Sequence, residues 1–144
     1  MTPDVNVLVA ASRPDHVHYA IGSDWLKAAS VDARRGRRLE VLPMVATGFL
    51  RLVTHPKVFP DPTPLDLALA FLDALLESPG VRLASLGDEW PSLRQLCRTK
   101  SLCGNAIPDA WIAAAAKSSG LHLVTLDRDF ARLLDKSDFT LLRP

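Results

Sequence analysis

Short runs of strand character alternate with longer segments of helical spacing along nearly the whole chain, and this alternation restricts the fold most. Val81 to Leu86 alternates apolar and polar residues, Leu121 to Leu126 reads as a buried strand, and Phe139 to Leu142 as a short closing strand. Leu39 to Val45 reads as a strand running into a helix that continues to about Thr54. Helical spacing appears from Val17 to about Arg35, where Tyr19, Ile21, Trp25, Leu26 and Ala29 recur between charges. A second helix starts at Pro64 and draws its apolar surface from Leu65, Leu67, Leu69, Phe71, Leu72, Leu75 and Leu76. Glu89 to Leu102 forms a third, with Leu93 and Leu96 facing inward. Ala110 to Lys117 is apolar almost all round and is expected to be buried, with Asn105 as N-cap and Pro108 in the first turn. Val5 to Ala11 is a short apolar run that periodicity leaves open between strand and helix.

Clear punctuation separates these segments. Arg34-Arg35-Gly36-Arg37-Arg38 ends the first helix, Ser78-Pro79-Gly80 ends the next, and Gly120 stops the alanine-rich one. His55 to Pro64 carries Pro56, Pro60, Pro62 and Pro64 and is a loop. Strands alternating with helices imply an α/β domain, with a mostly parallel central sheet flanked by helices.

The 144 residues fit a single domain over 1–144, and 48% apolar content separates the chain from disordered sequences. No apolar stretch reaches membrane-spanning length and no basic-then-apolar leader opens the chain, so a soluble cytoplasmic protein is expected, with no membrane partner. Cys97 and Cys103 lack the CxxC spacing of a zinc or redox site and read as free thiols. A net charge of +1 is too balanced to announce nucleic-acid binding, unless several acids converge and leave the remaining surface basic. No Walker loop, GxGxxG, GxSxG or HExxH occurs, and an EF-hand fails after Asp127 and Asp129 because its glycine position is Arg132.

The acids bear on function. Asp4 opens Asp4-Val5-Asn6, Asp109 follows Pro108 at the head of a helix, and Asp127 and Asp129 follow Leu123-Val124-Thr125-Leu126. Carboxylates beside buried segments are costly without a counter-charge, and Mg²⁺ (or Mn²⁺) suits oxygen ligands. Asp127 lies just past a strand, where open parallel sheets gather reactive residues. Asp109 lies in a first turn, where the helix dipole is expected to keep it ionised at neutral pH. Taken one at a time, Asp109 also reads as a helix-start residue and Asp127 with Asp129 as a turn.

Asp4-x-Asn6, Pro108-Asp109-Ala110 and Leu123-Val124-Thr125-x-Asp127-x-Asp129-Phe130 together resemble the PIN domain. Gly48-Phe49-Leu50-Arg51-Leu52-Val53-Thr54-His55-Pro56 and Gly104-Asn105-x-x-Pro108-Asp109 narrow the resemblance to VapC toxins of a mycobacterial-type branch. The resemblance covers essentially the whole chain. It implies a Mg²⁺-dependent endoribonuclease, the toxin of a type II toxin–antitoxin system, neutralised by a VapB-type antitoxin and acting on structured RNA with tRNA prominent. Carried over by position, it makes Asp4, Asp109 and Asp127 the catalytic, metal-binding acids, with Asn6, Thr125 and Asp129 in support. It also makes Val5 to Ala11 the start of a helix, after a strand ending at Asp4.

Two departures stand out. The usual Glu before the Phe-Leu-Arg stretch is Gly48, so a single Mg²⁺ is expected; Glu40, Asp88 and Glu89 are the substitutes nearby in sequence. Only three residues precede Asp4, so the first strand should be clipped or absent unless the true start lies upstream. Arg51, His55 and Lys57 are candidates to line an RNA groove, whereas Arg94, Arg98, Lys100 and Arg34 to Arg38 read as solvated surface. His16 and His18 read as helix-start residues, and Trp25, Trp90 and Trp111 as core. The apolar faces of the helix around Trp25 and of the Leu65 to Leu76 helix read equally as an antitoxin groove, as ordinary core or as the face of a homodimer, the expected assembly. Two other readings stay open: a weakened PIN-like binding module, and a housekeeping PIN nuclease of RNA processing.

Overall fold

The computed structural model describes residues 1–143. Five strands and six helices alternate: β1 (Thr2–Pro3), α1 (Val5–Ser12), α2 (Tyr19–Arg34), β2 (Leu39–Val41), α3 (Pro43–Val53), α4 (Leu65–Leu76), β3 (Val81–Leu83), α5 (Glu89–Lys100), α6 (Ala106–Ser118), β4 (Leu123–Thr125) and β5 (Phe139–Leu141). A 3₁₀ turn, Arg128–Arg132, follows β4. All pairings are parallel, in two ladders ordered β1-β4-β5 and β2-β3. The ladders are joined at Met1, whose amino group donates to the Arg38 carbonyl at 2.7 Å and whose carbonyl accepts from Glu40 N–H at 3.0 Å. That is the bonding of a parallel bridge opposite Leu39, so the strands run β3-β2-β1-β4-β5.

The α/β architecture with a parallel sheet flanked by helices is the expected one. The strands are shorter than their apolar runs, because backbone pairing spans only the two or three residues where neighbours overlap. The first strand is present as the two residues of β1. Val5 to Ala11 is helical because Asp4 caps it: its carboxylate accepts from Val5 N–H at 2.6 Å. Pro43 starts α3 without loss of a hydrogen bond, since a first-turn N–H has no helical partner. Gly80, at φ +81°, turns α4 into β3 directly against the Ala33 carbonyl of α2, where any Cβ would overlap it.

Leu8, Leu39, Val41, Leu42, Val45, Phe49, Leu123 and Phe130 are fully buried and form the centre of the core between sheet and helices. Three local expectations differ. Leu93 and Leu96 are only half-buried, since α5 lies on the outside of α6 and buries no residue completely. Asn105 occupies the N-cap position of α6 but makes no capping bond, its backbone being already helical. Trp90 is 65% exposed rather than in the core, while Trp25 packs against the core edge.

Two features had no sequence signal. Arg13 is buried: it pairs with Asp15, donates to Thr63 Oγ1 and the Asp61 carbonyl, and lies 4.0 Å over the Phe59 ring. It thereby fixes the proline loop against the end of α1. Helix α5 ends in a Schellman turn, with Leu102 N–H donating to Cys97 O and Ser101 N–H to Arg98 O. The left-handed position of that turn, usually glycine, is Ser101 at φ 49°.

Candidate active site

Topology brings the acids together. β1 and β4 are adjacent and parallel, so the residues that follow them emerge side by side at the carboxyl edge of the sheet. Asp4 follows Pro3, and its N–H still donates to the Val124 carbonyl at 2.8 Å. Asp127 lies two residues past Thr125. Helix α6 feeds β4 through Gly120, so it runs back against that strand and presents its first turn, with Asp109, over the same edge.

Thr125 is the hub. Its hydroxyl, fully buried, donates to Asp4 Oδ2 at 2.7 Å and accepts from Asp127 N–H at 2.9 Å and from Asn6 Nδ2 at 3.3 Å. Asn6 Oδ1 accepts from Leu126 N–H at 3.0 Å. One buried hydroxyl and one amide thus tie the start of α1 to the end of β4 and orient the Asp4 carboxylate. Asp127 Oδ1 accepts from Asp129 N–H at 2.8 Å, so Asp127 also caps the 3₁₀ turn. The turn reading of Asp127 therefore holds.

Asp4, Asp109 and Asp127 line one cleft of about 810 Å³. Burial pushes the Asp4 pKa up to about 6; Asp109 and Asp127 add to this, and bonds from Thr125 and Val5 oppose it. Burial also raises Asp109, reinforced by Asp127 and Asp129. At Asp109, desolvation and the neighbouring carboxylates therefore act against the favourable first-turn position. Among the described residues, no three Asp, Glu, His or Cys side chains close into a metal cage; the acids surround the cleft without meeting at one point. An open, all-oxygen donor set with excess negative charge still fits Mg²⁺, which uses few carboxylates and keeps several waters.

The other predicted residues divide. Arg51 lines the cleft, exposed and free of ion pairs among the described residues. His55 and Lys57 do not line it: α3 ends at Val53, and His55 Nδ1 accepts from Lys57 N–H in a separate turn. Asp129 lines the neighbouring concavity beside Asp109. Gly48 lines the cleft, but a Cβ there would come within 2.9 Å of Val5 Cγ2, so the Val5 isopropyl group fills the start of the missing acid's path. None of the three substitutes replaces it. Glu40 is buried and bonded to Arg38 and Arg82, and it shares a different pocket with Asp88 and Glu89.

The rest of the cleft was missed. Met44, Thr47, Gly48, Arg51 and Leu52 form one stripe of α3 at helical spacing, a signal readable once Gly48 and Arg51 are placed together. Trp111, 38% exposed, lines the cleft two residues from Asp109 rather than the core.

The chain is thus a parallel α/β domain with three carboxylates at its sheet's carboxyl edge, where open α/β sheets carry their reactive residues. Residues 1–135 match the PIN domain, and the chain belongs to the PIN domain family. It is 37% identical over 137 residues to ribonuclease VapC25 of Mycobacterium tuberculosis, covering 90% of this chain and 89% of that protein. To ribonuclease VapC31 of the same organism it is 36% identical over 131 residues, with the same coverage. Its fold resembles the crystal structure of VapBC2 from Rickettsia felis bound to a DNA fragment from their promoter (TM-score 0.65, 18% identity, 98% and 96% of the two chains). It equally resembles Mycobacterium tuberculosis VapC20, a sarcin-ricin loop cleaving toxin (TM-score 0.65, 14% identity, 99% and 98%). Within the family the chain is a VapC-type ribonuclease.

Proposed function

We propose that this chain is the toxin of a VapBC-type pair, an endoribonuclease that hydrolyses RNA phosphodiester bonds with Mg²⁺, or Mn²⁺ in its place. Asp4, Asp109 and Asp127 are its ligands. The observation that carries this reading is the convergence of three acids, from residues 4, 109 and 127, on one cleft where, among the described residues, no basic side chain pairs with them. A bound divalent ion supplies the charge and the activated water that phosphodiester hydrolysis needs. Thr125 and Asn6 hold Asp4 in place, Asp127 is fixed by the turn it caps, and Arg51 meets the substrate phosphates. With Gly48 in place of an acid, a single ion is the default.

The substrate is a structured RNA, with tRNA the first candidate, presented through an unpaired loop that reaches the cleft. The partner is a VapB-type antitoxin. Its docking site is the groove between α2 and α4, lined by Tyr19, Leu26, Val31, Phe71 and Leu75.

Purified protein should cut total tRNA in Mg²⁺ and stop in chelator, and Asp109→Asn should lose at least 100-fold in rate. Wild-type rates in Asp109→Asn would remove the site assignment. Expression alone should arrest growth, and coexpression of a neighbouring small DNA-binding protein should restore it. Cutting without arrest would favour a processing nuclease instead.

A further inference from the structure

Asp109 stands between two concavities. One is the cleft it shares with Asp4 and Asp127. The other, about 650 Å³, is lined by Asp109 and Asp129 together with Lys100, Arg132, Ser101 and Asn105. Lys100 comes from the end of α5 and Arg132 from the 3₁₀ turn, so two unrelated segments deliver cations to one chamber. Both side chains are exposed, and neither forms an ion pair among the described residues. Cations and carboxylates share the chamber but stay apart.

That separation suits a chain of phosphates. A polyanion crossing Asp109 meets acids, which need a metal, at the scissile bond, and free cations on either side: Arg51 in the first cleft, Lys100 and Arg132 in the second. We propose that the second chamber is a subsite for a phosphate flanking the scissile one in single-stranded RNA, held by Lys100 and Arg132. This rests on the ribonuclease reading. Arginine offers a planar fork to phosphate oxygens and lysine a point charge, and neither reads base identity. The subsite therefore sets grip and register, and sequence preference lies elsewhere.

The test is the salt dependence of binding to a fluorescein-labelled single-stranded RNA dodecamer in chelator, where no cleavage occurs. Each phosphate contacted contributes about 0.7 to the slope of log K against log salt on single strands, so Lys100→Ala/Arg132→Ala, which empties a one-phosphate subsite, should lower that slope by about 0.7. Arg34→Ala/Arg35→Ala removes the same charge at the opposite end of the sheet and should leave it unchanged. Lys100→Arg/Arg132→Lys should retain the wild-type slope, separating charge from packing. In Mg²⁺ the alanine pair should raise KM with kcat within about twofold. Equal slopes for wild type and the alanine pair, or equal losses in the two alanine pairs, overturn the subsite. An unchanged RNA slope with weakened binding of a poly-aspartate peptide assigns the chamber to an acidic protein segment and overturns it as well. A wild type that neither binds nor cuts RNA overturns the ribonuclease reading itself, which the variant comparison does not touch.

Discussion

Burial of Asp4 should make the metal-free protein lose stability as pH rises toward neutrality. Its folded pKa of about 6 lies above the ordinary 3.8, and the side chain is 4% exposed, so solvent screens it little. The folded state binds the proton more tightly than the unfolded chain. Stability is therefore greatest below 3.8, falls as pH climbs through about 6, and is reduced above that by about 3 kcal/mol, from roughly two pH units at 1.36 kcal/mol each. Of this, about 2 kcal/mol falls between roughly pH 4.5 and 8, a large share of a domain stability of about 5–15 kcal/mol. Asp4→Asn removes the titration. Its oxygen can still accept from Val5 N–H, but its amide faces a Thr125 oxygen that already accepts two N–H groups, a cost of about 1 kcal/mol at every pH. The assay is urea unfolding, followed by circular dichroism in chelator, of both proteins across that range. Relative to Asp4→Asn, wild type should fall by about 2 kcal/mol. Adding Mg²⁺ at pH 8 should restore wild type and leave the variant unmoved. Profiles parallel to within about 0.5 kcal/mol would refute the burial account of this acid.

Three further substitutions test neighbouring claims. Thr125→Val keeps the shape but strands Asp127 N–H and Asn6 Nδ2 and frees Asp4 Oδ2; it should lower stability by about 1–3 kcal/mol and cleavage by about 10–100-fold, read by urea unfolding and initial rates. Gly48→Glu should destabilise by about 1–3 kcal/mol because its Cβ meets Val5 Cγ2, and Val5→Ala in the same chain should recover part of the loss in a thermal melt. Ser101→Gly should raise stability by about 1 kcal/mol by relieving the left-handed position of the α5 turn, and no gain in the unfolding midpoint would mean the position is unstrained.

What the sequence disclosed follows from how local each determinant is. Alternating strand and helix segments depend on neighbours a few residues away, so the α/β layout and nearly every helix were readable. Val5 to Ala11 was not, because an eight-residue apolar helix and a buried strand share one pattern; the cap bond from Asp4 decides it, and only the family resemblance anticipated that. The three acids were legible because each sits where a parallel sheet exposes its carboxyl edge, a position set by chain order. Distances between segments were not legible. Arg51, His55 and Lys57 look equivalent in sequence, yet the end of α3 leaves only Arg51 on the cleft. Lys100 reads as an ordinary solvated charge in sequence, and nothing there links it to Arg132, 32 residues on in chain numbering; the close packing of α5 on α6 brings the end of α5 to the concavity that Arg132 and Asp109 share. Gly48 looked like a lost ligand in sequence. In the fold it is half of a contact with Val5, so the absent acid and the helix that follows Asp4 are one packing solution: restoring the carboxylate requires remaking the start of α1, the segment that Asp4 itself caps.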